Sequence, residues 1–256
     1  MNYTDLRRGD KLPSVGVLQK LLNRTGASLV PDGEFGQKTE TAVRVFQRAH
    51  RLNPDGIVGK DTWPRLATGS NLRIVDCIDV FDPSLFNLEA QDVGKAGGNP
   101  ILIGGMCNGV EAVVSAIVSA SAGGVFLLRF HGHGAPGVAG VSFGQGAIGW
   151  GERADIDLSN FATLRPALAR LRSIFGPYGN VQFMHCSTGS GPNGRRLLQS
   201  IADTLGVPAT AALQTQYGGG VATFKYEGPT YTALTGGAVL RGWCRALPDF
   251  AGMSIA

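Results

Sequence analysis

Chemistry in this 256-residue chain concentrates in two short runs, His131-Gly132-His133-Gly134 and His185-Cys186-Ser187-Thr188-Gly189. Together they hold three of the four histidines and one of the four cysteines. Each follows an apolar stretch, residues 125–130 and 181–184, so each marks the point where a buried strand gives way to a loop. An imidazole and a thiol at neighbouring strand ends make a nucleophilic dyad. The imidazole takes the thiol proton, the thiolate attacks an amide carbonyl, and the imidazolium protonates the leaving amine. Cys186 is the candidate nucleophile and His133 the candidate base. Gly134 has no side chain, so its N–H can approach the substrate and, with the N–H of Cys186, stabilise the tetrahedral oxyanion. His131 and His185 are candidate supports. Asp155 and Asp157 are candidate lining for a pocket that takes a cationic side chain. The cysteine route needs no metal and no other cofactor. Zinc stays open beside it, because His131 and His133 have His-x-His spacing with His185 as a third ligand. No H-E-x-x-H and no nearby carboxylate completes that set.

The elements that carry these runs alternate between strand and helix. Leu72, Ile74, Val75, Ile78 and Val80 mark a strand over 71–80, and residues 83–98 read as a long irregular connection. A helix over 108–120 leads into the strand at 125–130. Leu164, Leu168, Leu171 and Ile174 give an amphipathic helix over 162–175, followed by the short strand 181–184, a helix over 193–205 and a strand over 209–213. A hairpin (222–226 with 231–234) and a last helix near Leu240 close the chain. Strands alternating with helices predict an α/β domain with a mostly parallel sheet and helices on both faces. In such sheets reactive groups lie beyond the carboxyl ends of the strands.

The first quarter of the chain has a different signature, an internal repeat. Asp32-Gly33-Glu34-Phe35-Gly36 with Thr39 returns 23 residues later as Asp55-Gly56-Ile57-Val58-Gly59 with Thr62. Each copy reads as a tight Asp-Gly turn feeding a helix. Ala42, Val43, Phe46 and Ala49 recur at helical spacing after the first turn. Before it, Ser14 is positioned to cap a helix whose apolar face is Val15, Leu18, Leu21 and Leu22. About three short helices and two structured turns result.

Residues 6–66 resemble the peptidoglycan-binding module of bacterial and phage cell-wall enzymes, through Leu18-Gln19 with Leu22, the run 32–39, the run 42–47, and 55–63 followed by Leu66. Thr25-Gly26-Ala27-Ser28 departs from that pattern, where an aromatic usually follows the glycine. Residues 101–213 resemble the caspase-like cysteine peptidases (clan CD), the metacaspase and CHAT groups among them. Phe130-His131-Gly132-His133-Gly134 matches the strand end that carries the catalytic imidazole, which falls on His133. The 185–189 run matches the block carrying the nucleophile, which falls on Cys186. His185 departs from the small residue or Asp usual before that cysteine. The resemblance implies cleavage of an extended peptide by a Cys/His dyad.

Charge and cysteine usage bound the partners. Residues 1–68 hold 11 Lys+Arg against 7 Asp+Glu and the remainder 12 against 12, so the net +4 lies on the small module. A basic module suits an acidic polymer such as cell wall. No basic cluster interleaved with aromatics suggests nucleic acid. Cys77, Cys107, Cys186 and Cys244 lack C-x-x-C spacing, and Cys77 and Cys244 read as buried small hydrophobes. Residues 1–11 lack the apolar core of a secretory signal peptide, so action at the wall implies a non-signal export route, a phage origin or a mature form. Gly123-Gly124 breaks the uncharged stretch 112–128, which argues against a membrane span.

The sequence thus predicts a helical peptidoglycan-binding module over 1–68 and a caspase-like α/β domain over 69–256. The predicted activity is hydrolysis of an amide bond in a peptidoglycan stem peptide by Cys186 and His133. Alternatives are a wall-tethered protease acting on proteins, a zinc-dependent wall amidase, and an inactive wall-binding protein. Beyond peptidoglycan and the peptide substrate, an immunity or secretion protein is a candidate partner.

Overall fold

The computed structural model describes residues 2–79, 83–103, 109–141 and 155–252. Contacts divide the chain into two compact units, Met1–Leu72 with Ala238–Ala256, and Arg73–Gly237.

The first unit is built on the two turns. Gly33 and Gly56 both have φ of +79°, a left-handed conformation that only glycine adopts freely. Each turn is organised by a buried glutamine from the preceding helix, α1 (Pro13–Arg24) or α2 (Gln37–Ala49). Gln19 Nε2 donates to Asp32 Oδ1 (2.8 Å), Glu34 O (3.1 Å) and Thr39 Oγ1 (3.2 Å), while its Oε1 accepts from the N–H of Asp32 and Gly33. Gln47 repeats the arrangement on Asp55 (2.8 Å), Ile57 O (2.9 Å) and Thr62 Oγ1 (3.1 Å), and accepts from Gly56 N–H. The short helix α3 (Thr62–Leu66) follows, with buried Trp63 stacked on Tyr3 and its Nε1 donating to Thr4 O at 2.8 Å. Ser14 is not the helix cap expected of it. Pro13 takes the first position, where a missing N–H costs nothing, and Ser14 Oγ is buried without a hydrogen-bond partner.

The last described helix, Leu240–Ala246, packs in this first unit, whereas the sequence division placed it with the sheet. Its Cys244 lies so near α1 that a Cβ on Gly16 would come within 2.3 Å of the sulfur, and one on Gly33 within 2.7 Å of Leu240. Lys20 Nζ, almost fully buried, pairs with Asp249 Oδ1 at 2.7 Å. Leu240, Cys244 and Leu247 form an apolar stripe at helical spacing. Such a stripe shows that a partner exists and not which one it is.

The second unit is a six-stranded sheet in the order β2-β1-β3-β7-β8-β9. Here β1 is Arg73–Asp79, β2 Ile101–Ile103, β3 Val125–His131, β7 Phe175–Met184, β8 Ala209–Ala212 and β9 Thr230–Ala233. All pairs are parallel except β8 with β9. Helices α5 (Val110–Ala120), α6 (Phe161–Ala169) and α7 (Gly191–Leu205) cover one face and enclose the main apolar core with Leu128, Phe130, Val181 and Phe183. Helix α4 (Pro83–Lys95) and a 3-10 helix at Gly220–Phe224 pack together and α4 packs on β1, so they serve the other face. That face carries a polar row in lateral register, Asp76, Arg129, Gln182, Thr210 and Thr232. A second sheet, antiparallel, is made by β4 (Gly134–Ala135), β5 (Val138–Gly140) and β6 (Asp155–Asp157).

Several elements differ from expectation. Among them are β2, which the sequence did not suggest, and β7, which begins at Phe175 rather than 181 because the expected helix 162–175 ends in a 3-10 turn. Residues 83–95 form a helix rather than an irregular connection, with Pro83 at its first position and Lys95 in its last turn. The first arm of the expected tail hairpin is the 3-10 helix, and the second arm, β9, pairs with β8 instead. The small sheet after His133 was not expected, because its strands are two or three residues long, too short for an alternation to register.

Candidate functional site

Strands β3 and β7 run side by side, and their last paired residues are His131 and Met184. Two residues further along each chain stand His133 and Cys186. The two runs therefore leave the carboxyl edge of the sheet from adjacent strands. The topology reverses next to them, between β1 and β3, where open α/β sheets form their crevice.

The loops beyond these strands are fastened to each other. Gly137 N–H donates to Thr188 O (3.1 Å) and Thr188 Oγ1 to Val138 O (2.6 Å), joining the β4–β5 turn to the loop after Cys186. Gly134 is the contact point: a Cβ there would lie 2.5 Å from Thr188 Oγ1 and 2.7 Å from His185 Cβ. Glycine is thus required at 134 for packing, in addition to any part its N–H plays toward a substrate. On the other side, a Cβ at Gly194 would meet Thr188 O at 2.4 Å, so the start of α7 is pressed on the same loop.

Cys186 is half-buried, and its sulfur lies between the Gln216 carbonyl (3.2 Å) and the Gln216 N–H (3.3 Å). The following residue, Ser187, has φ of +53°, unusual for a residue with a side chain, and its N–H donates to Gln214 O at 2.9 Å. His133 is exposed, and its carbonyl accepts from Gly140 N–H at 2.9 Å. Cys77 and Cys244 are buried, and burial pushes both thiols up, Cys244 to about 12 with Asp32 adding to the effect and Cys77 with help from Asp76. Neither is a nucleophile at neutral pH. Cys107 lies outside the described residues.

The two remaining strand-end histidines are buried and belong to different networks. His185 Nε2 is 2.7 Å from Gly140 O, and its Nδ1 has no hydrogen-bond partner. Burial lowers its pKa to about 3, so the ring is neutral and donates through Nε2 to the loop that carries His133. His131 lies on the polar face, with Nε2 3.3 Å from Asp76 Oδ1 and Nδ1 3.5 Å from Glu89 Oε2. Arg129 Nε donates to the same Asp76 oxygen at 2.8 Å. Burial alone would lower the pKa of His131, but Glu89 and Asp76 outweigh it and hold it raised.

Asp155 and Asp157 lie on β6, and the Asp157 carboxylate is occupied locally. It accepts from Ser159 N (2.6 Å), Ser159 Oγ (2.6 Å) and Asn160 N (3.1 Å), which makes it a turn residue ahead of α6. Among the described residues, no group of three or more His, Cys, Asp or Glu side chains stands in an arrangement that could hold a metal ion. Asp76, Glu89, Arg129 and Gln216 were not picked out from the sequence. The legible signal was a charge in the middle of an apolar strand, as at Arg129, which demands a buried partner.

Residues 11–66 match the family model "Putative peptidoglycan binding domain", and the sheet unit lies beyond the end of that match. An uncharacterised protein of the bpoA1 3' region from Kitasatospora aureofaciens is 44% identical over 63 residues, 24% of this chain and 53% of that protein. The zinc D-Ala-D-Ala carboxypeptidase of Streptomyces albus G is 43% identical over 56 residues, 22% of this chain and 21% of the enzyme. Among solved structures, a peptidoglycan-binding protein from Clostridioides difficile in complex with glutamine hydroxamate is 35% identical over 25% of this chain and 41% of its own, with a TM-score of 0.25. The endolysin of Burkholderia AP3 phage is 43% identical over 26% of each chain, with a TM-score of 0.26. The chain thus spans about half the length of one curated relative and a fifth of the other, a stretch the size of the first unit in each case. No described helix is long and apolar enough to cross a membrane.

Proposed function

We propose that the protein is a cell-wall hydrolase whose first unit holds peptidoglycan and whose sheet unit cleaves an amide bond in the stem peptide through Cys186 and His133. The observation that carries this reading is the pairing of β3 with β7, from whose adjacent carboxyl ends the two residues leave the sheet. The peptidoglycan-binding match over 11–66 directs the chemistry to the wall. A module that holds the polymer raises the effective concentration of the joined hydrolase on it.

In the proposed reaction His133 takes the proton of the Cys186 thiol, and the sulfur attacks the carbonyl carbon. The backbone N–H groups of Gly134 and Cys186 receive the negative charge that forms on the carbonyl oxygen. Collapse of the intermediate breaks the C–N bond, and the proton held by His133 goes to the departing amine. Water, deprotonated by His133, then releases the acid and restores the thiol. Leaving Gln216 for this chemistry costs the sulfur two weak contacts, both of which a bound substrate can replace. His185 supports the site by holding the Gly140 carbonyl. The caspase-like resemblance favours a second substrate class, an extended protein segment at the wall. Zinc chemistry gains little from the carboxypeptidase likeness, which covers 22% of this chain and 21% of that enzyme.

Sacculi digested with the full chain and with Cys186→Ala separate these readings by mass spectrometry of the soluble fragments. New amine termini from the unsubstituted chain alone are expected. Cleavage of an unfolded protein with unchanged sacculus fragments points to the protease, and activity that survives Cys186→Ala but not a chelator points to zinc.

A further inference from the structure

The sheet unit buries a set of charged groups that the proposed cysteine chemistry does not use. Asp76 comes from β1, Arg129 and His131 from β3, and Glu89 from α4; all four are almost wholly shielded from solvent. The Arg129 guanidinium also stands 5.3 Å from the Phe224 ring of the 3-10 helix. Burying an ion costs several kcal/mol unless partners compensate it, so a cluster of this kind needs a reason.

We propose that His131 is a positioning residue for His133, its ring clamped between Asp76 of β1 and Glu89 of α4. The proposal rests on the assignment of His133 to the site. Both ring nitrogens face a carboxylate, Nε2 at 3.3 Å and Nδ1 at 3.5 Å. A neutral imidazole carries one N–H and would turn a lone pair toward the second carboxylate, so two ionised carboxylates favour the doubly protonated ring. Glu89 Oε2 and His131 Nδ1 have no hydrogen-bond partner among the described residues, and each depends on the other for compensation. With Asp76 and Glu89 ionised and Arg129 and His131 cationic, the cluster is neutral.

Only Gly132 separates the clamped ring from His133, and it has no slack. A Cβ on Gly132 would lie 2.8 Å from Gly140 O, 3.1 Å from Asp79 Cβ and 3.1 Å from His185 Nε2. On its far side the His133 carbonyl is tied to Gly140 N–H. The chain from 131 to 133 is therefore held at both ends and packed in the middle, which fixes where the His133 side chain begins. Other charged or titratable groups near the ring among the described residues include Arg129 on its own strand, Asp79 of β1 beside Gly132, Tyr226 near Arg129, and His133 and His185 beyond the strand ends.

With four histidines in the chain, imidazole nitrogen NMR of the full-length protein reads each ring directly, independent of any substrate. His131 is expected to be doubly protonated at pH 7. Glu89→Gln keeps the side-chain volume and removes one carboxylate, which should lower the His131 titration by about one unit or more. It should also alter the His133 signal and move the alkaline limb of hydrolysis to lower pH by a similar amount. Asp76→Asn, read the same way, gives a second route if Glu89→Gln weakens folding. A neutral His131 at pH 7, or a His133 signal and pH profile unmoved by either variant, overturns the proposal. Loss of Cys186-dependent hydrolysis in the unsubstituted chain overturns the site assignment instead, and leaves the His131 titration standing.

Discussion

The two units use buried polar groups in opposite ways. In the first, Gln19 and Gln47 each spend both ends of the amide on one turn, and the three Nε2 contacts and the glycine N–H contact repeat from one copy to the next. In the second, buried polar atoms gather at one edge of a sheet, and Glu89 Oε2, His131 Nδ1 and His185 Nδ1 there lack hydrogen-bond partners. Fully paired groups specify a shape. Atoms without a hydrogen bond, together with the positive φ of Ser187, cost stability. The paired amides fix the two turns of the first unit, where Ser14 Oγ is an unpaired exception, and the second unit has its unpaired atoms at the strand ends as well as elsewhere.

The largest effect that tests this contrast is chemical. Cys186→Ala should lower hydrolysis of sacculi about ten-thousand-fold while the melting temperature stays close to that of the unsubstituted chain. A large fall in melting temperature would make Cys186 a structural residue and end the contrast. The mirror experiment lies in the first unit. Gln19→Ala or Gln47→Ala strands several turn groups at once and should cost roughly 2–4 kcal/mol in denaturant unfolding of that unit. Reactivity of Cys186 toward iodoacetamide should not change in either variant.

Smaller effects separate the two buried histidines. His185 has a folded pKa of about 3 against an ordinary value of 6.5, so between these values the unfolded chain binds the extra proton. Stability from this group is present above about pH 6.5 and is lost as pH falls toward 3, at up to about 1.4 kcal/mol per pH unit. His131 is raised, so its contribution is full below its ordinary pKa and is lost as pH rises through the folded value. Denaturant unfolding across pH 4 to 9 should therefore show stability falling on both sides. His185→Gln should flatten the acid side, and Glu89→Gln should draw the alkaline side inward. A pH-independent curve would remove both assignments. The smallest effect is kinetic: in the native protein iodoacetamide should reach Cys186 before Cys77 or Cys244, as read by peptide mass spectrometry.

Much of this was legible in the residues. The 23-residue offset announced the two turns, and the apolar runs ahead of His131 and His185 announced two core strands. Helix α4 was hidden because its Pro and Gly ends look like loop composition and its inner face carries Glu89, whose partner is at position 131. Arg129 and Asp76 each lie within an apolar strand, but only lateral register shows that they pair. The tail helix was legible as a helix and illegible as a neighbour of α1, since its partner lies more than 200 residues away.

That last separation governs the order in which the molecule can be made. The chain leaves the first unit at Leu72 and returns at Ala238, so the whole sheet unit is an insertion within it. On the ribosome the first unit cannot acquire the helix Leu240–Ala246 until the whole sheet unit has already been translated. A product truncated within the sheet unit would lack Cys244 against Gly16 and Asp249 against Lys20. Completion of the first unit is therefore tied to completion of the sheet unit. A single proteolytic nick at either crossing also leaves the two parts joined through the other.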